Sequence, residues 1–276
     1  MNKKVKCIFT ASIILNAIAF LFVCVLTLHY QAQIKSKFNG LFANAEKEKI
    51  EKLAKSMNQE VFDPLYGKYE GGDSVIKVAF VGNSITLHGI AENIGWDHKS
   101  GMAASTIDND YVHKLAKKIS LNKKVSVEFA VINVAAFERN FDTFERKRLE
   151  KIKDFSADYV VFQLGENVSV ESIQKKHELF VERYIDFINE FKSSAKIVCL
   201  PFWHNKDKID AITEVALKTN SFIVDLSHLG AVGLDSRNYA ISERDYQHAG
   251  VGKHPGDFGM ENISDNIYSV FNVLIK

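Results

Sequence analysis

Three runs in this chain end on residues whose types can do chemistry. The run Ile76-Lys77-Val78-Ala79-Phe80-Val81 breaks abruptly at Gly82-Asn83-Ser84. β-Branched and aromatic residues stopped by Gly-Asn read as a buried strand that delivers a serine to the carboxyl edge of a sheet. Open α/β sheets bind their ligands at that edge. A serine there becomes a nucleophile once a base takes its proton. Far downstream, His254-Pro255-Gly256-Asp257 precedes a last amphipathic run. Between the two, the apolar run Tyr159–Leu164 ends on Gly165-Glu166-Asn167. Alone, Ser84 would be an ordinary helix cap and Asn167 an ordinary turn residue. Serine, asparagine and histidine at three strand or loop ends point together to nucleophilic catalysis.

Residues that work together must be brought to one edge by the elements that carry them. The patterning predicts strands at 76–82, 125–134, 158–164, 196–202 and 221–226. It predicts helices near 108–120, 141–153, 171–193, 206–218 and 257–274. Strands that alternate with helices imply βαβ units, a mainly parallel sheet and right-handed crossovers. Residues 84–107 are too polar and glycine-bearing for one regular element, and are expected as a loop beside the site.

The same residues carry a family resemblance. Gly82-Asn83-Ser84-Ile85-Thr86 resembles the first block of the SGNH (GDSL-like) hydrolases, with Asn83 where the usual motif has Asp. Gly165-Glu166-Asn167 is similar to that family's Gly-x-Asn block, and His254-Pro255 to its final histidine block. The run from Gly82 to His113, with Leu87-His88-Gly89, Gly95-Trp96 and Asp110-Tyr111-Val112-His113, resembles a bacterial subgroup of the same superfamily. The resemblance spans roughly residues 75 to 275. It implies a flavodoxin-like three-layer α/β/α sandwich with a five-stranded, mainly parallel sheet. It also implies Ser84 as nucleophile, His254 as base and an oxyanion hole made by the Ser84 N–H, the Asn167 side chain and a backbone N–H of the second block. In Asn133-Val134-Ala135-Ala136-Phe137-Glu138 that block lacks its glycine. Ala136 is taken as the N–H donor, and Glu138 as a substrate hydrogen-bonder or an ordinary surface acid.

The third member of the triad is the second departure. The family's acid stands three residues before the histidine, and here that residue is Val251, which cannot accept from imidazole. Either another carboxylate orients His254 or the pair works as a dyad. Asp245, Asp257 and Glu243 are the candidates. Asp245 is preferred because it lies upstream in the same loop, and Asp257 reads as the cap of the last helix. Asp245-x-x-His248 has the family spacing without the proline, so His248 is a rival base or a substrate contact. Trp203, His204 and Glu166 complete the expected substrate-binding set, since aromatic faces suit sugars. Trp96 is a further wall or core candidate. His88, His98 and His113 show no ligand spacing, so neither a metal nor a cofactor is expected.

Composition bounds the rest. The chain has 276 residues and a formal net charge of +1. That gives nucleic-acid binding little support. Cys7, Cys24 and Cys199 form no disulfide or metal pattern. Residues 7–28 carry no charge and follow Lys3, Lys4 and Lys6. As a helix they would reach about 33 Å, enough for a hydrocarbon core of about 30 Å. Flanking lysines place the N-terminus in the cytoplasm. The segment lacks a good cleavage site and is longer than a signal-peptide core. The expected organisation is therefore a cytoplasmic tip and single-pass anchor over 1–32, a helical stalk over 33–72 and a hydrolase-like domain over 73–276, lying outside the inner membrane. The expected activity is that of a serine esterase removing acyl, above all O-acetyl, groups from a carbohydrate. An O-acetyltransferase using the same residues is one alternative. A non-catalytic carbohydrate-binding protein on the same fold is the other, and no protein partner is legible.

Overall fold

The computed structural model describes residues 63–231 and 235–276. The apolar segment 7–28 and the Lys/Glu-rich segment 33–60 lie outside the described residues. Among the described residues, no helix is long and apolar enough to cross a membrane.

The elements in chain order are β1 (Leu65–Tyr69), β2 (Val75–Gly82), α1 (Tyr111–Lys123), β3 (Ser126–Asn133), α2 (Ala135–Arg139), α3 (Glu150–Asp154), β4 (Tyr159–Gln163), α4 (Val170–Asn189), β5 (Ala195–Cys199), α5 (Lys206–Lys218), β6 (Phe222–Val224), α6 (Ala249–Gly252) and α7 (Asp257–Leu274). The sheet order is β1-β3-β2-β4-β5-β6. Strands β2 to β6 pair in parallel. Strand β1 is antiparallel to β3.

Strand β2 shows why the sheet is enclosed. Val78, Ala79, Phe80 and Val81 are all fully buried. Side chains alternate across a strand, so Val78 and Phe80 join one core while Ala79 and Val81 join the other. The first core includes Leu115 and Ile119 of α1 and Ile263, Ile267 and Phe271 of α7. The second takes Phe180, Tyr184 and Phe187 of α4 and Ile212 and Val215 of α5. Continuous apolar runs covered on both faces are what parallel strands require. The result is a three-layer α/β/α arrangement.

Two features correct the sequence reading. The sheet has six strands where five were expected, because Leu65–Tyr69, inside the stretch read as a helical stalk, forms the edge strand β1. Leu65, Gly67 and Tyr69 are half-buried while Tyr66 and Lys68 point outward, a period of two. Gly67 is required there, since a Cβ would collide with the Phe129 ring. The helix expected over 141–153 is a short 3-10 turn, Arg146–Leu149, running into α3.

The topology also fixes where a ligand belongs. The chain steps from β2 to β3 on one side, then crosses to β4 on the other side of β2. Strand order therefore reverses at the carboxyl end of β2, the position where open α/β sheets form their binding crevice. Ser84 follows β2 by two residues.

Candidate active site

The turn after β2 is built by Asn83. Its carbonyl accepts the N–H groups of Thr86 and Leu87 at 3.0 and 2.9 Å. Its side-chain oxygen accepts Ile85 N–H at 3.0 Å, an Asx turn. Gly82 has to be glycine, because a Cβ would run into the Thr86 side chain. Across the turn, Met102 N–H donates to the Ser84 carbonyl at 2.8 Å, tying the 84–107 loop to the nucleophile candidate.

Ser84 Oγ lies 2.9 Å from His254 Nε2. The other ring nitrogen, Nδ1, lies 2.8 Å from the Gly250 carbonyl. A carbonyl only accepts, so Nδ1 carries the proton and Nε2 presents its lone pair to the serine hydroxyl. Ser84 and His254 are only 6% and 7% exposed. Burial disfavours imidazolium and pushes the His254 pKa down to about 4. The Gly250 carbonyl opposes that shift, and His88 adds to it. At neutral pH His254 is the free base that a proton acceptor must be.

Asp245 is not the orienting acid. It is exposed, and lines a separate cavity of about 260 Å³ with Trp96, His98 and Tyr246, in which neither Ser84 nor His254 takes part. The Gly250 carbonyl of α6 occupies the place a carboxylate would take. His248 is not the base either: its Nδ1 accepts Gly250 N–H at 3.0 Å and caps α6. Nor does Asp257 cap α7. Gly256 is the cap residue, and Glu243 accepts the N–H groups of Asp257 and Phe258 at 2.9 and 2.8 Å. Asp257 instead accepts from Ser105 and Arg244, clamping the long loop onto α7.

Asn167 stands half-buried in the turn after β4, which Gly165 enters at φ +134°. Its Nδ2 donates to Glu138 Oε2 at 2.5 Å, leaving the second amide hydrogen unassigned. Ala136 lies in the first turn of α2. Its neighbour Ala135 gives its N–H to Asn133 Oδ1 at 2.9 Å. First-turn N–H groups have no intrahelical acceptor, so the Ala136 N–H is available in the way a second-block glycine would be.

The substrate-binding expectations divide. Trp203 is half-buried with its ring nearly perpendicular to that of His254, centroids 5.2 Å apart. Its Nε1 donates to the Lys253 carbonyl at 3.2 Å. His204 follows it, exposed. Glu166 turns its carboxylate inward instead. It accepts from Asn83 Nδ2 at 2.6 Å, Gln163 Nε2 at 2.6 Å and Phe202 N–H at 2.9 Å. These three hydrogen bonds tie Glu166 to the turn after β2, to the end of β4 and to the chain after β5. Glu138 likewise is buried, 1% exposed, and not a surface acid. Burial raises the pKa of both carboxyls, and the charge of Glu138 helps push Glu166 up to about 7. Among the described residues, no cluster of His, Cys, Asp and Glu could hold a metal ion.

No family model matches the chain, and no curated protein matches it. Solved structures do. A lipase/acylhydrolase from Enterococcus faecalis is 17% identical, with 73% of this chain and 97% of that chain covered and a TM-score of 0.48. An acetyl xylan esterase is 17% identical over 71% of this chain and 99% of that one, with a TM-score of 0.44. A protein described as a GDSL-like lipase from Bacteroides ovatus is 11% identical over 72% and 99%, with a TM-score of 0.44. The likeness is one of fold. The chemistry rests on this chain's own residues.

Proposed function

We propose that this chain is a serine ester hydrolase of the SGNH type. The observation that carries the reading is the Ser84 Oγ–His254 Nε2 contact of 2.9 Å at the topological switch point. His254 Nε2 takes the hydroxyl proton as Oγ attacks an ester carbonyl, and the imidazolium returns it to the leaving alcohol. Water then repeats the sequence on the acyl-enzyme and releases the acid. The developing oxyanion is held by the Ser84 and Ala136 N–H groups and the Asn167 side chain, and one such donor is worth about 3–4 kcal/mol.

The near-burial of Ser84 and His254 favours a small acyl group, and acetyl fits that reading best. Trp203, half-buried beside His254, supplies an aromatic ring against which a sugar leaving group can rest. A carbohydrate O-acetyl ester is therefore the proposed substrate class. Residues 7–28 are proposed as an uncleaved membrane anchor that holds the domain outside the cell membrane.

Hydrolysis of p-nitrophenyl acetate by the full-length protein tests the chemistry. Ser84→Ala is expected to lower kcat by at least three orders of magnitude with unchanged circular dichroism. Turnover at the wild-type rate in that variant refutes the assignment.

A further inference from the structure

Glu138 is buried beneath the site and plays no part in the steps above, yet four hydrogen bonds converge on it. Oε1 accepts Gly165 N–H at 2.5 Å, Asn167 N–H at 3.4 Å and Asn83 Nδ2 at 3.1 Å. Oε2 accepts Asn167 Nδ2 at 2.5 Å. One carboxylate thus grips the main chain and the side chain of the oxyanion candidate. It also reaches the residue that precedes the nucleophile. Glu138 is itself held firmly. The adjacent Phe137 packs against Phe187 and Tyr184 of α4, with ring centroids 4.4 and 5.4 Å away.

We propose that Glu138 is a positioning residue that sets the orientation of the Asn167 carboxamide and so assembles the oxyanion hole. The proposal rests on the esterase reading. A carboxamide rotates in a broad, roughly two-fold well. An Asn167 side chain without a partner would spread its N–H over that well, and an oxyanion donor works only when it is preorganised. Fixing one amide hydrogen on Glu138 Oε2 fixes the plane of the group, and with it the direction of the second hydrogen. The Gly165 and Asn167 N–H groups on Oε1 fix the turn that carries it.

Asn83 belongs to the same device. Its two amide hydrogens go to Glu138 and Glu166, and its oxygen takes Ile85 N–H, so all three groups are satisfied. An aspartate there would face two carboxylates. Asn83, where the family pattern has aspartate, is therefore matched to the buried carboxylates of Glu138 and Glu166.

The test is a double-mutant cycle on p-nitrophenyl acetate hydrolysis by the full-length protein: wild type, Glu138→Gln, Asn167→Ala and both together, with Ser84→Ala as reference. If Glu138 acts through Asn167, Glu138→Gln lowers kcat roughly 10- to 100-fold with KM within about twofold, and has less than about a twofold effect once Asn167 is alanine. Equal losses in both backgrounds mean a merely structural role and overturn the proposal, as does a Glu138→Gln variant at the wild-type kcat. Hydrolysis that does not depend on Ser84 overturns the esterase reading, and this proposal with it. Should Glu138→Gln fail to fold, Glu138→Asp goes through the same cycle and is judged in the same way. That variant keeps the charge and withdraws it by one methylene.

Discussion

Replacing Asn83 by aspartate restores the residue usual in the first motif block, and the structure predicts that this harms the protein. Asn83 is fully buried. Its Nδ2 stands 3.1 Å from Glu138 Oε1 and 2.6 Å from Glu166 Oε2. Aspartate keeps the acceptor for Ile85 N–H but puts a bare oxygen against two others. Each carboxylate loses a charge-assisted hydrogen bond of about 1.5–3 kcal/mol. Unless protons are taken up, a third buried charge is left without a partner, which typically costs about 3–5 kcal/mol. At about 2–4 °C per kcal/mol for a domain of this size, the unfolding midpoint should fall by roughly 6–20 °C at pH 8. The sign with pH follows from linkage. Carboxyls crowded in the folded state have pKa values raised above their unfolded ones, so the folded variant binds more protons and its stability falls as pH rises. The deficit against wild type should shrink toward pH 5. Thermal unfolding followed by circular dichroism at pH 5 and 8 measures both. Glu166→Gln in the Asn83→Asp background replaces one of the two carboxylates facing the new aspartate by an amide donor and should recover part of the loss at pH 8. An unchanged midpoint at pH 8, or an equal deficit at both pH values, refutes the reasoning.

Two further outcomes follow from His254. Its pKa is pushed down to about 4 by burial, and it acts as a base only when neutral. Activity should therefore persist below pH 6 and be lost as pH falls through about 4; a kcat/KM profile with half-activity near 6.5, the ordinary imidazole value, contradicts this. Asp245→Asn should leave kcat within about twofold of wild type, because Asp245 is exposed and the Gly250 carbonyl holds Nδ1. A loss of tenfold or more in that variant would return Asp245 to the triad.

Most of what positions the site was legible along the chain. The run from Ile76 to Gly82 declares a strand because most of its residues are β-branched or aromatic and it stops at Gly-Asn, and β2 is observed over Val75–Gly82. Helix α5 falls over 206–218 and α7 over 257–274, as the apolar spacing predicts. Strand β1 escaped because five residues containing a glycine look like turn sequence, although Leu65, Gly67 and Tyr69 already alternate with Tyr66 and Lys68. Helix α6 escaped because four residues, two of them glycine, give no helical period. The Glu138 network was beyond reach for a different reason. Its partners lie 55 and 29 residues away, and only the sheet register, which sets Gly82 beside Asn133 and Gln163, brings them together. The acid at position three before the histidine was sought among side chains, and main-chain carbonyls leave no mark in a sequence.

That carbonyl has a genetic consequence. A carboxylate that steers a histidine is lost in one codon change, whereas the Gly250 oxygen is present whichever amino acid stands there. What steers His254 is the path of the chain from His248 to His254, where Val251 N–H bonds the His248 carbonyl and His254 N–H bonds the Val251 carbonyl. Saturation mutagenesis under selection for activity will find null alleles at Ser84 and His254, and no position at which an acid is needed to steer His254. Only a change in the backbone itself, such as an amide-to-ester replacement or a deletion that breaks the turn, reaches the group that a conventional triad leaves exposed to drift.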